Sequence, residues 1–197
     1  MGYGGGNLGA EQRAAEDARA SRIESGVRQI NQSFEGFDDN FFNQRADDYE
    51  NFALPQLTRQ ADETGHKLTY SLARHGLLDS GAAVDQRADL ARETEQQQRN
   101  VADTGAAHAN ELRRDVEGQR SNLIAQVEAS ADPAGAGAQA LRTAQAYQQP
   151  TSFQPVGNLF ENWTRNYLSN QTARAYDPSI APLFAWGSGA SGRMVGG

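Results

Sequence analysis

Apolar residues in the first part of the chain fall at Ile23, Val27, Ile30, Phe34, Phe37 and Phe41, in alternating steps of four and three. This spacing predicts a helix with a heptad seam, a narrow stripe suited to face another helix or another subunit. At Phe41 and Phe42 the seam slips by one residue and continues through Phe42, Ala46, Tyr49 and Ala53, which rotates the stripe around the helix. The run FEGFDDNFF is the richest aromatic patch and reads as packing surface, with Asp38 and Asp39 on its solvated flank. Pro55 removes a backbone donor and crowds the preceding turn, so the first helix is expected to end near Leu54 or to kink there.

A second helical stretch places Leu57, Ala61, Thr64, Leu68 and Leu72 on one face. It meets RHGLLDSGAA, where Gly76 stands at the position of a left-handed C-terminal cap and Asp79 or Ser80 at that of an N-cap. Leu77 and Leu78 are expected to plug the corner between the two helices, and Gly81, Ala82 and Ala83 to let the arms approach closely. From Ser80 to about Ser130 a third helix of roughly 50 residues is predicted, on the order of 75 Å long. Its stripe is thin: Val84, Ala88, Ala91, Val101, His108, Leu112, Val116, Leu123, Ile124 and Val127. DPAGAGA reads as a linker, followed by a short Ala/Gln helix to Gln149 and the loop PTSFQPVGN. A last short helix from about Asn158 carries Leu159, Phe160, Trp163, Tyr167 and Leu168.

The expected architecture is therefore all-α: long helices in a helical hairpin or coiled-coil-like arrangement, then a linker, a short C-terminal helix and an irregular tail. The divisions are a flexible glycine-rich start at 1–10, a long-helix hairpin region at 11–131, a linker with a short helix at 132–157, and a C-terminal helix with an aromatic tail at 158–197. In that tail Trp163, Tyr167, Phe184 and Trp186 form a candidate anchor. It either folds back on the chain's own helices or docks on a partner or a bilayer interface.

Composition sharpens this picture. Only 38% of the 197 residues are hydrophobic, and the mean hydropathy is -0.73, with alanine making up much of the apolar share. A thick private core is not expected, so long helices must finish burying their stripes against one another or against sibling copies. The formal net charge of -7 disfavours tight binding to a phosphate backbone, which makes duplex DNA a passing neighbour rather than a ligand. Cysteine is absent, which excludes disulfides and thiolate metal sites and fits synthesis in a reducing cytoplasm. The start MGYGGGNLGA has neither the basic nor the apolar run of a signal peptide.

No chemistry-bearing constellation emerges. His66, His75 and His108 lack a second ligand at metal-binding spacing, and the pairs Asp38-Asp39 and Asp47-Asp48 diverge on a helix instead of forming an acid–base dyad. GYGGGN follows no strand, so it is not a dinucleotide fingerprint. The reading is of a chain that is not an enzyme, with no cofactor and no metal.

Between Ile23 and Leu90 the order of features is specific: FDDNFFNQRADDYENFALPQL, a polar stretch, then LTYSLARHGLLDSGAAVDQRADL. An aromatic FD-rich helix, a proline before a leucine, and a GLL corner followed by serine and alanines make this segment resemble the internal virion, or DNA-ejection, proteins of short-tailed bacteriophages. Gly81 departs from the related pattern, which more often has a second serine there. The resemblance implies a virion protein held inside the capsid near the portal and made in the host cytoplasm. It further implies assembly into a homo-oligomeric ring, contact with the portal and other internal or tail proteins, and expulsion to form a conduit across the host envelope, with host membrane contact. Two other classes stay open: a static head-to-tail adaptor or scaffolding component, and a cellular coiled-coil interaction module.

Overall fold

The computed structural model describes residues 5–167, with side chains from residue 9 onward. Those residues form α1 (Gly5–Phe34), α2 (Asp39–Arg74), α3 (Gly81–Ser130) and α4 (Pro133–Gln148), and residues 161–167 are helical as well. The fold is all-α, with no strand among the described residues. Two compact units divide the chain: one takes residues up to Glu50 together with Ala102–Gln154, the other Asn51–Val101 and the segment from Pro155 onward. Each draws on stretches distant in sequence. α1 begins at Gly5, inside the segment expected to be a flexible start, because extending a helix backward from the alanine-rich run at Ala14 costs far less than nucleating one.

In the first unit the chain breaks after α1, at residues 35–38, and not at Pro55. Gly36 lies in the turn, and Asp38 begins the next helix by accepting the Phe41 N–H on Oδ1 at 2.9 Å, as an N-cap does. Asp39 follows in the first turn, where a negative charge is favourable, and pairs with Arg113 of α3 at 2.7 Å. The seam slip seen in the sequence is thus a consequence of this break. Phe42, not Phe41, becomes the buried ring of α2, at 4% exposure.

The core of this unit gathers Ile30, Phe34, Phe37, Phe42, Ala109, Val116, Leu123 and Val127, with Ala136, Ala140 and Ala144 from α4. Ile23, Val27 and Phe41 are half-buried at its edge. The segment expected as a linker starts a helix instead. Asp132 accepts the Gly135 N–H at 3.1 Å and Pro133 occupies the first helical turn, a pairing that favours helix initiation. The three alanines, spaced by four, let α4 lie close against α1. Gly26 is in the same contact, since a Cβ there would come within 3.2 Å of Pro133 Cα. Where α2 meets α3, a Cβ at Gly105 would sit 2.9 Å from the Ala46 carbonyl oxygen.

In the second unit α2 runs through Pro55, which is exposed, while its neighbours Ala53 and Leu57 are 0% and 1% exposed. Burial on that side outweighs the roughly 3 kcal/mol that a helical proline costs. Nearby carbonyls gain side-chain donors: Gln56 Nε2 to Phe52 O at 3.0 Å and Thr58 Oγ1 to Leu54 O at 3.0 Å. Leu68, Leu72 and Ala83 form a second core with Leu90, Trp163 and Tyr167 against it.

Burial along α3 differs in phase from the apolar stripe. Val84, Ala91 and His108 are exposed, whereas Ala83, Gly105 and Ala109 are buried. The inward positions Ala83, Thr94, Gly105, Val116 and Val127 recur every eleven residues, and so do Leu90, Val101, Leu112 and Leu123. Eleven residues over three turns lies close to the helical repeat, so the inward face hardly drifts.

Candidate interaction site

The corner between α2 and α3 is built from local chemistry. Gly76 has φ of 65°, the left-handed region that glycine enters without penalty. Its N–H donates to Ala73 O at 3.1 Å, and the Leu77 N–H donates to Leu72 O at 2.9 Å; together these are the two bonds of a Schellman cap. Ser80, rather than Asp79, caps α3: its Oγ accepts the Ala83 N–H at 3.2 Å and donates to Leu77 O at 2.7 Å. Ala83 is fully buried against Leu68 and Leu72, which brings the arms together as the small residues suggest. Gly81 itself faces open space.

Leu77 and Leu78 do not plug this corner. After the Schellman turn at Gly76 each leucine remains 38% exposed. Tyr70, 67% exposed, and Val84, 63% exposed, lie on the adjoining turns of α2 and α3. The Arg74 guanidinium sits 5.8 Å from the Tyr70 ring centre, and Lys67, His75, Asp79, Asp85 and Arg87 are exposed along the same stretch. Elsewhere among the described residues Leu141 is the other large apolar side chain so open to solvent. Single exposed leucines are ordinary, and these four large apolar groups, close in sequence around one corner, make it the candidate contact surface among the described residues.

The other sequence-predicted residues have different fates. Of the seam, Ile30, Phe34 and Phe37 lie in the first unit's own core, with Phe34 and Phe37 rings 5.6 Å apart and Phe37 edge-on to Phe41 at 4.9 Å. Of the anchor, Trp163 and Tyr167 stack at 5.4 Å with nearly parallel rings and rest on the Leu68–Leu72–Ala83 core. Phe184 and Trp186 lie outside the described residues.

The histidines are all exposed. His108 joins an aromatic cluster, 5.1 Å from Tyr49 and 6.3 Å from Phe153, which sequence spacing could not reveal because Phe153 comes from a loop. Tyr147 has its pKa raised by burial and secondarily by the negative charge of Asp115. Asp89, 7% exposed, is paired with Arg92 on the next turn. Among the described residues no group of three or more His, Cys, Asp or Glu side chains is placed to hold a metal ion. No helix among them is long and apolar enough to cross a membrane.

No protein-family model, curated protein or solved structure matches this chain.

Proposed function

We propose that this chain is a non-enzymatic internal virion protein of a short-tailed bacteriophage, held near the portal as a homo-oligomer and expelled to help line a conduit for the genome across the host envelope. The observation that carries the reading is the α2–α3 corner. A turn whose backbone is capped by Gly76 and Ser80 leaves Leu77 and Leu78 each 38% exposed, which suits a surface completed by a neighbouring copy or by the portal. The long α1 agrees with this, because residues 10–22 are exposed on every side and a stretch of helix so open is better stabilised in an assembly. The net charge of -7 suits a wall past which DNA slides without sticking. The same segment, Ile23–Leu90, carries the motif order that resembles the ejection proteins.

The test is quantitative mass spectrometry of purified particles of the phage encoding this chain, before and after genome release is triggered. An ejection protein is present in intact particles and depleted from emptied ones. Full retention in emptied particles would favour the adaptor reading, and absence from intact particles would overturn a virion role altogether.

A further inference from the structure

Within the first unit α4 is held in an unusual way. Its buried residues are all alanines, Ala136, Ala140 and Ala144, while its one leucine, Leu141, is 52% exposed. Each alanine brings a single methyl group to the core, so the apolar grip on this helix is weak. A polar contact compensates at its far end. α4 has no basic residue in its last turn, and Arg45 of α2 supplies the charge from outside: its guanidinium donates to Gln148 O at 2.9 Å and to Gln149 O at 3.1 Å, at the negative end of the helix dipole. Asp48 at 3.3 Å and the Phe41 ring centre at 5.0 Å hold the arginine in place.

The near end carries strain. Ala131, in the turn from α3 to α4, has φ of 51°, a region that penalises an L-residue and where helix ends ordinarily place glycine. Its N–H still closes α3 by donating to Val127 O at 2.8 Å. Asp132 and Pro133 then start α4 afresh, so the turn joins two helices that are capped separately. Past α4, residues 148–152 are exposed, and the next anchor is Phe153, whose ring packs on Tyr49 with centres 5.2 Å apart. A strained turn and an exposed loop thus bound the helix.

We propose that α4 is a latched lid on the first unit: it opens as one body, pivoting at Ala131 with Arg45 as the latch, while α1 and α3 keep their helices. Opening releases the left-handed strain at Ala131 and gives up three buried alanines together with the edge-on contact of Tyr147 and Phe37 at 6.2 Å. It uncovers the part of the core beside Ile30 and Phe34 against which the three alanines pack. The lid sets whether that apolar face is hidden or presented, a conformational device that rests on neither the oligomeric nor the viral reading.

Amide hydrogen exchange of the intact chain, read by mass spectrometry at several low urea concentrations, tests the lid. Amides of 137–148 should exchange together and faster than those of 112–127 in α3. Their rate should hardly respond to urea, because a local opening exposes little surface, whereas exchange in α3 should rise with the steep dependence of global unfolding. Arg45→Gln should speed exchange of 137–148 by roughly ten- to a hundredfold, the worth of hydrogen bonds from a charged donor, and leave its urea dependence shallow. Ala131→Gly should slow it by up to about 15-fold, which is the left-handed penalty less the freedom that glycine gains in the open state. Circular dichroism checks that both variants are folded. Exchange of α4 at the rate and with the urea dependence of α3 would overturn the lid. An Arg45→Gln chain whose α4 exchanges as slowly as the wild type would overturn the latch, and with it the proposal.

Discussion

Gly76→Ala isolates the conformational penalty on which the hairpin corner depends. A Cβ at Gly76 meets nothing within 4 Å, so the substitution adds no clash and removes no contact. What it changes is the cost of holding φ at 65°. For an L-residue that cost is about 1–2 kcal/mol. Alanine also narrows the unfolded ensemble, which returns about 0.4–1 kcal/mol. The net loss is therefore roughly 0–1.6 kcal/mol, and at about 2–4 °C per kcal/mol it lowers Tm by up to about 6 °C. Gly81→Ala is the matched control: that site is equally open but lies at the start of α3 without a left-handed φ, so alanine should stabilise it by up to about 0.5–1 kcal/mol. Urea and thermal denaturation followed by far-UV circular dichroism read both. Opposite signs at two sites with equally empty surroundings support the cap. A Gly76→Ala variant as stable as Gly81→Ala would refute it.

Other substitutions probe the packing directly. Gly105→Ala should destabilise by about 1–3 kcal/mol through overpacking against the Ala46 carbonyl, although alanine is the better helix former; Gly118→Ala, with nothing within 4 Å, should stabilise in the same melting assay. Phe34→Ala should cost about 3–5 kcal/mol, because the ring is 5% exposed in the first unit's core, whereas Phe41→Ala should cost clearly less because Phe41 is only half-buried; equal losses would contradict the placement of the break at residues 35–38. For Tyr147 the folded pKa is raised, mainly by burial and then by Asp115, so the fold favours the neutral phenol. That stabilisation is complete below the unfolded value of about 10 and is lost as pH rises through the folded value. Denaturation across this alkaline window should show wild-type stability falling relative to Tyr147→Phe; parallel curves would contradict the burial.

What the sequence made legible was local chemistry. The corner needs only a left-handed glycine and a serine four residues later, and Gly76 and Ser80 supply both within one turn of each other. The length of α3 was equally legible, since no proline interrupts 81–130. Where the fold departs from the local signals, tertiary contacts decide what those signals leave balanced. Asp38 signals a helix start, but the seam from Ile23 to Phe41 suggested continuity across it. Pro55 signals a stop, yet Ala53 and Leu57 are buried on either side and hold the helix through it. Asp132-Pro133 reads as a linker in sequence alone, although an N-cap followed by proline also opens a helix; the alanine face that stabilises α4 is invisible until α1 is beside it. On α3, Val84 is the more apolar residue and Ala83 the buried one, because the close approach of α2 admits only the smaller side chain. The corner residues themselves were identified, but their exposure was not, since nothing in LLDSG states which way the leucines turn. The hydrogen bonds of Gln56 and Gln60 to the backbone of residues 156–159 join positions about a hundred apart and have no signature in the sequence.

Sedimentation of the intact chain tests the central claim, that a single copy is completed by its siblings. The account predicts a concentration-dependent oligomer for the wild type and dissociation toward the 21.3 kDa protomer on Leu77→Gln/Leu78→Gln, with helicity retained. A wild-type chain that stays at 21.3 kDa at every concentration would contradict it.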